Sequence, residues 1–138
     1  MSEIRGGVPM EKEELVSRFQ GVYEYAEKRS TFLFLCGIYQ DRKEFHADIK
    51  LVQETFPKAA HILTVARIKD DTGLFEAASE NGEPVKSAHK VLFALAHKGV
   101  GDVGLFAVRH YGGKKLGAKN LDGVFVDGFL KALESAGR

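Results

Sequence analysis

The stretch from residue 103 to residue 133 limits the possible folds more than any other part of the chain, because three local patterns follow one another there. Residues 103–108 (VGLFAV) form an apolar run typical of a buried strand. Residues 109–119 are rich in glycine and lysine, and from Leu121 onward apolar residues recur at helical spacing. We therefore expect a strand, then a surface loop, then a helix that begins where the loop ends.

The loop between this strand and this helix, which we call the basic loop (residues 109–119), has four formal positive charges and no acidic residue. Its glycines allow another molecule to approach the backbone closely, and the helix that follows presents free N–H groups. The pattern predicts a surface that accepts an anion or a negatively charged partner. A tight structural turn whose lysines are only solvated fits the residues equally well. The candidate binding residues of the loop are Arg109, Tyr111, Gly112, Gly113, Lys114, Lys115, Gly117 and Lys119.

The apolar pattern along the whole sequence predicts a succession of strands and helices. Helices are predicted at 10–19, 41–56, 88–98 and 121–133, and strands at 21–25, 31–39, 60–68, 74–78 and 103–108. We interpret this pattern as an α+β fold with a mixed sheet of four or five strands and helices packed on one face. Residues 1–9, with two glycines and a proline, are expected to be a disordered N-terminal tail, and residues 10–138 a single domain.

The composition is that of an ordinary globular protein without a strong overall field. Hydrophobic residues make up 44% of the chain and charged residues 28%, and the formal net charge is +1. Electrostatic binding therefore has to come from a local patch. Because the one cysteine, Cys36, lies in an apolar strand pattern, we expect a buried, inert thiol. The lack of a membrane-length apolar run or a signal peptide predicts a cytoplasmic protein that does not enter a membrane.

Two glycine motifs have nucleotide-binding spacing, but neither has the required context. The segment 99–104 matches a dinucleotide fingerprint, yet it follows a helix and precedes a strand, whereas the fingerprint requires strand, turn and helix. Gly112 and Gly117 have the spacing of a phosphate loop, but Ala118 occupies the position of its lysine. We therefore predict a helix stop in the first segment and no nucleoside triphosphatase from the second.

Patterns for catalysis or metal binding are weak. None of the five histidines stands at a metal-binding spacing, so we predict no metal site and no cofactor. Glu83 and His110 are weak candidates for an acid and a base, with the glycines of the basic loop as an anion hole. This combination would describe a small hydrolase or a phosphate-handling enzyme.

Two blocks of the sequence are distinctive in combination: residues 79–91 (SENGEPVKSAHKV) and residues 108–117 (VRHYGGKKLG). They resemble the Ser-Asp-Asp-Gly-Glu-Pro block and the Arg-Tyr-Phe/Tyr-Gly-Gly-x-x-Leu-Gly block of the IMPACT/YigZ family (uncharacterised protein family 0029, Impact N-terminal domain). Residues 28–32 and 60–61 resemble two shorter motifs of that family. The resemblance covers about residues 19–135 and indicates a diverged, single-domain member.

This resemblance implies both a fold and a functional context. The implied fold is similar to the second domain of ribosomal protein S-five. Eukaryotic members of the family regulate translation by binding the activator of the starvation-responsive initiation-factor kinase, and bacterial members have been proposed to bind nucleic acid. The implied partners are therefore a translation-related regulatory protein or RNA.

The chain departs from the family at several polar positions. Glu80 and Asn81 replace the family's paired aspartates, and Lys119 and Asn120 replace its second glycine pair. Lys86 is a further added cation, so we include it among the candidate binding residues. Any activity that the aspartates serve in the family is not expected to carry over to this chain.

We therefore favour a non-enzymatic binding module whose partner is a translation-machinery protein or an RNA backbone. The cations of the basic loop would supply charge, and Tyr111 a stacking or apolar anchor. The first alternative is the small hydrolase or phosphate-handling enzyme, which would use the same cleft. The second is a structural subunit of a larger complex, in which the loop only packs.

Overall fold

The computed structural model of the protein describes residues 10–138, so the predicted N-terminal tail at 1–9 lies outside the described residues. The α+β class is confirmed, and each predicted helix and strand is present, although the first helix is shorter than the predicted 10–19. The elements are α1 (Lys12–Val16), β1 (Gly21–Glu27), β2 (Ser30–Ile38), α2 (Arg42–Thr55), β3 (His61–Asp70), β4 (Gly73–Ser79), α3 (Ser87–Lys98), β5 (Val103–His110) and α4 (Ala118–Ser135).

The five strands form one sheet in the order β1-β2-β5-β3-β4. Every neighbouring pair is antiparallel, so the prediction of a mixed sheet is wrong. The helices α2 and α3 each connect two strands that point the same way, as in a parallel sheet. However, β5 lies between β2 and β3, and β3 lies between β4 and β5. The sheet is antiparallel because each of these crossovers skips one strand position.

Helices cover both faces of the sheet, which corrects the expectation of helices on one face. On the first face, α3 and α4 pack against side chains such as Phe34 and Leu105. On the second face, α1 and α2 pack against side chains such as Leu35 and Phe106. Successive residues of a strand point to opposite faces, and β2 and β5 are buried at nearly every position. Both faces must therefore be covered to remove these apolar residues from water.

The predicted buried thiol is confirmed. Cys36 is inaccessible to solvent within the cluster under α3 and α4. Burial raises the pKa of the Cys36 thiol to about 12, so the thiol stays protonated at neutral pH. Since the thiolate is the nucleophilic form, Cys36 has a packing role.

An ion pair between Arg42 and Asp70 ties the start of α2 to the end of β3. The Arg42 guanidinium donates from Nε and Nη2 to the two Asp70 oxygens at 2.7 and 2.8 Å, and its backbone N–H donates to the same carboxylate at 3.1 Å. Thr72 donates to Asp70 from its backbone N–H and from its hydroxyl. These hydrogen bonds, above all those from the Arg42 side chain, hold the pKa of Asp70 well below its usual range.

Replacing Asp70 by asparagine is expected to destabilise the protein at neutral pH and to have a smaller effect in acid. The folded-state pKa of Asp70 lies below the unfolded value of about 3.9, so its contribution is complete above about pH 5 and is lost as the pH falls toward the folded-state pKa. Urea unfolding at about pH 7 and at about pH 2 gives the difference in free energy of unfolding between wild type and Asp70→Asn, and this difference should be smaller at the acid pH. Asp71→Asn, at the exposed neighbouring position, is the control. An equal difference in free energy of unfolding at both pH values would contradict a lowered pKa of Asp70 in the folded protein.

Candidate binding groove

One end of the sheet carries a groove of about 490 Å³ between the basic loop, the start of α4 and the segment before α3. β3 and β5 are neighbours, and His61 at the start of β3 lies opposite Arg109 near the end of β5. This register brings the basic loop beside residues that are distant in the sequence. The groove is lined by Ala60, His61, Glu83, Pro84, Arg109, Tyr111, Lys115, Leu116, Gly117, Ala118 and Leu121.

Arg109 and Glu83 form a buried ion pair at the floor of the groove. Arg109 Nη1 donates to both Glu83 carboxylate oxygens at 2.9 and 3.0 Å, and the two residues are 8% and 5% exposed. The guanidinium carbon lies 5.9 Å from the ring centre of Phe32 and 5.3 Å from that of Tyr111. Arg109 Nε is buried and has no hydrogen-bond partner within residues 10–138. The carboxylate and the aromatic rings therefore hold Arg109 in place while part of its donor capacity is unused.

His61 lies beside this ion pair. Its Nδ1 is 2.6 Å from the carbonyl oxygen of Asn81, and its Nε2 is 3.4 Å from Glu83 Oε1. Both neighbours are oxygen atoms that accept hydrogen bonds, so a proton on either ring nitrogen of His61 has an acceptor nearby. His61 belongs to a short family motif but is absent from the predicted site residues. The family motif at residues 60–61 is a signal for it, but its place beside Arg109 depends on the pairing of β3 with β5, which the local sequence does not reveal.

The first turn of α4 closes one end of the groove. Gly117 precedes this helix with φ of 85° and provides no side-chain cap. Leu121 is the first residue whose N–H bonds back along the helix, to the carbonyl oxygen of Gly117 at 2.9 Å. The N–H groups of Ala118, Lys119 and Asn120 precede this ladder, and none donates to a side chain of the described chain. They point outward at the positive end of the helix dipole.

The N-terminus of α3, in contrast, is occupied by the protein's own carboxylates. Glu80 accepts from two backbone N–H groups of its first turn at 3.0 and 3.2 Å. Asp122 accepts from the Lys86 N–H at 3.1 Å and from the Ser87 hydroxyl at 2.8 Å. Burial alone would raise the pKa of Asp122, but hydrogen bonds, led by the one from Lys90, outweigh burial and lower it. Lys86, a predicted binding residue, belongs to this helix end and does not line the groove.

The basic loop lies beside the turn between β1 and β2, and the two segments carry exposed cations that we call the basic rim. Asn120 Nδ2 donates to Glu27 Oε2 at 2.7 Å, which ties the start of α4 to this turn. None of the rim cations has an ion-pair partner in the part of the chain that the structure describes. The basic rim consists of Lys28, Arg29, Lys114, Lys115 and Lys119.

The glycines of the basic loop shape its backbone. A Cβ at Gly112 would lie 2.1 Å from the carbonyl carbon of Arg29, so only glycine allows the loop to pack on the β1–β2 turn. The Gly112 N–H donates to the buried hydroxyl of Ser30 at 3.2 Å. Gly113 and Gly117 have open space around them but φ angles of 90° and 85°, which favour glycine. The loop is therefore held against its neighbour rather than free in solvent.

The two candidates for acid–base catalysis lie on opposite faces of the sheet. Glu83 is in the groove, whereas the His110 ring is 5.8 Å from that of Phe56, under the other face. Arg109 points into the groove, so His110, its neighbour in β5, must point away from it. The structure therefore does not bring Glu83 and His110 together, and Glu83 pairs with Arg109 instead.

The polar side chains that line the groove are those of His61, Arg109, Tyr111 and Lys115 and the carboxylate of Glu83. In residues 10–138, no group of three or more histidine, cysteine, aspartate or glutamate side chains is placed to hold a metal ion. None of the helices described above is both long enough and apolar enough to cross a membrane.

Two solved structures resemble this chain over most of its length. The first is described as the crystal structure of a hypothetical protein; it is 25% identical with a TM-score of 0.73, over 83% of this chain and 56% of that chain. The second is the two-domain translational regulator Yih1, which is 17% identical with a TM-score of 0.57, over 96% of this chain and 54% of that one. The likeness to Yih1 is one of fold alone. This chain spans about half the length of both solved relatives.

A match to one protein family covers the elements that build the groove. The model of the Impact N-terminal domain matches residues 28–132, from the turn before β2 into the last turns of α4. No match was found among curated proteins. The resemblance carried by residues 79–91 and 108–117 is thus confirmed, and this chain belongs to the Impact N-terminal domain family.

Proposed function

We propose that this chain is a non-enzymatic binding module that acts in the regulation of translation, with the basic rim as its contact surface. Membership of the Impact N-terminal domain family supports this proposal, as does the fold shared with Yih1, a two-domain translational regulator. The partner is an RNA backbone or an acidic surface of a translation-machinery protein. Such a partner places the protein in the cytoplasm, away from membranes.

The observation that carries the proposal is the concentration of positive charge at one end of a nearly neutral protein. The net charge of the chain is +1, but the basic rim brings five cations onto two adjacent loops. The one carboxylate of the groove, Glu83, is buried against Arg109 and does not neutralise the rim. Exposed cations on neighbouring loops create a local potential that attracts a polyanion and accelerates its association.

The rim is held in position before any partner binds. Gly112 packs against Arg29, and Asn120 is hydrogen-bonded to Glu27. In the middle of the basic loop, Leu116 is buried in the core under α3 and α4. Because these contacts already order the loop, binding costs less conformational entropy than it would for a free loop.

The two alternative functions, a hydrolase and a structural subunit, make different predictions. A hydrolase would need a free acid and a free base at the groove, whereas Glu83 is engaged by Arg109 and His110 is on the other face. A structural subunit would elute from size-exclusion chromatography of native lysate in a stable high-mass assembly. A binding module would elute as a small species that gains mass when its partner is present.

Reversing two rim charges, Lys28→Glu with Lys114→Glu, is expected to weaken binding of single-stranded RNA about tenfold or more at roughly 0.1 M salt. Each lost phosphate contact lowers the slope of log affinity against log salt by about 0.7, so the slope should fall by about 1.4. Fluorescence anisotropy with a labelled single-stranded RNA at several salt concentrations measures both quantities.

The matched control is Lys43→Glu with Lys50→Glu, which makes the same charge change on α2, under the opposite face of the sheet. If the rim variant and the control bind RNA equally well, the rim is not an RNA-binding surface. An affinity pull-down with and without nuclease then separates an RNA partner from a protein partner. A protein partner that the rim variant captures as well as the wild type does would exclude the basic rim altogether.

A further inference from the structure

The groove has a chemistry that the basic rim lacks, because it combines buried donors with apolar walls. We propose that the groove binds the phosphate monoester of a nucleotide, with the phosphate at the first turn of α4 and the base against Tyr111. The phosphate site and the base contact follow from the groove alone. Only the preference for a nucleotide over a phosphopeptide uses the proposed function.

The first turn of α4 supplies the phosphate site. α4 has 18 residues, and its first N–H groups are without acceptors among the described side chains. Gly117 and Ala118 line the groove at this point, so no bulky side chain blocks an approaching anion, and Lys115 lines the same wall. Free N–H groups at the positive end of a long helix form a site that favours phosphate.

The floor of the groove adds a hydrogen-bond donor from the sheet. The Arg109 side chain is nine-tenths buried, and its Nε has no partner within residues 10–138. Glu83 accepts from Arg109 Nη1 at 2.9 and 3.0 Å, so its negative charge is compensated within the floor. An anion in the groove therefore meets a floor without net negative charge, and Lys115 lies beside it.

The walls of the groove fit the rest of a nucleotide. Pro84, Leu116 and Leu121 contribute apolar surface, and the ring of Tyr111 is about half exposed at the edge. The volume of about 490 Å³ is within the range of small-molecule sites. A half-exposed aromatic ring beside a phosphate site suits base stacking, and the basic rim beyond it would follow the next phosphates of an RNA strand.

The first test is a titration of the ¹⁵N-labelled protein with adenosine 5′-monophosphate (AMP) at constant ionic strength, followed by amide chemical shifts. AMP should shift the amides of residues 117–120 and of Tyr111, whereas inorganic phosphate should shift only those of 117–120. Adenosine, which lacks the phosphate, should bind about tenfold more weakly than AMP or worse. An AMP titration that leaves residues 117–120 unshifted overturns the proposal. A phosphoserine peptide that binds more tightly than AMP also overturns it, by assigning the groove to a phosphoprotein.

Two variants with controls separate the phosphate site from the base contact. Ala118→Glu places a carboxylate at the first turn of α4, where the helix dipole stabilises a negative charge. Because this carboxylate competes with the phosphate, AMP affinity should fall about tenfold or more. Ala47→Glu makes the same change at an exposed position of α2 and should leave AMP affinity unchanged. Tyr111→Ala should weaken AMP roughly 5- to 150-fold without affecting inorganic phosphate, and Tyr111→Phe should retain AMP binding. If Ala118→Glu binds AMP as tightly as the wild type, the phosphate site at α4 is overturned. If Tyr111→Ala does so, the base contact is overturned.

The variant Lys28→Glu with Lys114→Glu separates nucleotide binding in the groove from RNA binding at the basic rim. Lys28 and Lys114 do not line the groove, so their reversal should change AMP affinity by less than about threefold at physiological salt, even where RNA affinity is lost. Loss of AMP binding in the rim variant together with retention in Ala118→Glu would overturn the groove assignment.

Discussion

Replacing Glu83 by glutamine is expected to lower the free energy of unfolding by about 3–5 kcal/mol. The glutamine keeps the shape of the side chain but leaves the Arg109 guanidinium, which is 8% exposed, without its counter-charge. A buried cation without a carboxylate loses the attraction that offset its removal from water. Chemical denaturation at neutral pH measures this change directly.

The matched control for Glu83 is Glu76→Gln, which removes the carboxylate of an arginine pair that is more exposed. Arg67 Nε is 3.0 Å from Glu76, whose side chain is 39% exposed, so this change should cost less than about 1 kcal/mol. The double variant Glu83→Leu with Arg109→Met replaces the buried pair by apolar side chains and should recover much of the lost stability. A Glu83→Gln variant as stable as the Glu76→Gln control would contradict the buried-pair interpretation.

The expected loss of stability complicates any search for enzymatic activity with Glu83→Gln. A loss of activity in Glu83→Gln would be ambiguous, because the substitution is expected to unfold part of the population. Activity has to be measured below the unfolding transition of the variant, and compared with the Glu83→Leu, Arg109→Met protein. Activity that persists in that double variant would exclude Glu83 as an acid or a base.

Replacing Gly128 by alanine is expected to destabilise the protein by about 1–3 kcal/mol, although alanine is the better helix former. A Cβ at Gly128 would lie 2.1 Å from Cζ of Phe34, which is fully buried under α4. The Phe34 ring contacts the rings of Phe125 and Phe129 at centroid distances of 6.3 and 5.7 Å, so it has no free space into which to move. The helix must therefore shift away from the sheet or the aromatic cluster must repack.

The same substitution at Gly123, in the same helix, is the control and should have the opposite sign. A Cβ at Gly123 meets no atom within 4 Å, so Gly123→Ala should stabilise the protein by about 1 kcal/mol through helix propensity alone. Thermal and urea unfolding of the two variants should place them on opposite sides of the wild type. Equal stability of the two variants would show that α4 does not approach β2 as closely as the structure has it.

The local elements of this protein follow from its amino-acid sequence. The strand, glycine-rich loop and helix of residues 103–135 follow from apolar periodicity and glycine, and both are properties of neighbouring residues. The helix stop at Gly99, which adopts φ of 67°, has the same origin. The family could also be recognised, because residues 79–91 and 108–117 carry two motifs that no periodicity argument requires.

The way in which these elements meet depends on contacts between distant parts of the chain. The order β1-β2-β5-β3-β4 places His61 opposite Arg109 and separates Glu83 from His110, and nothing in the local sequence encodes that pairing. The two interior glycines of α4 look alike in the sequence, yet Gly128 contacts Phe34 and Gly123 faces open space. Periodicity shows which face of an element is apolar, whereas strand order and contacts depend on residues far apart in the chain.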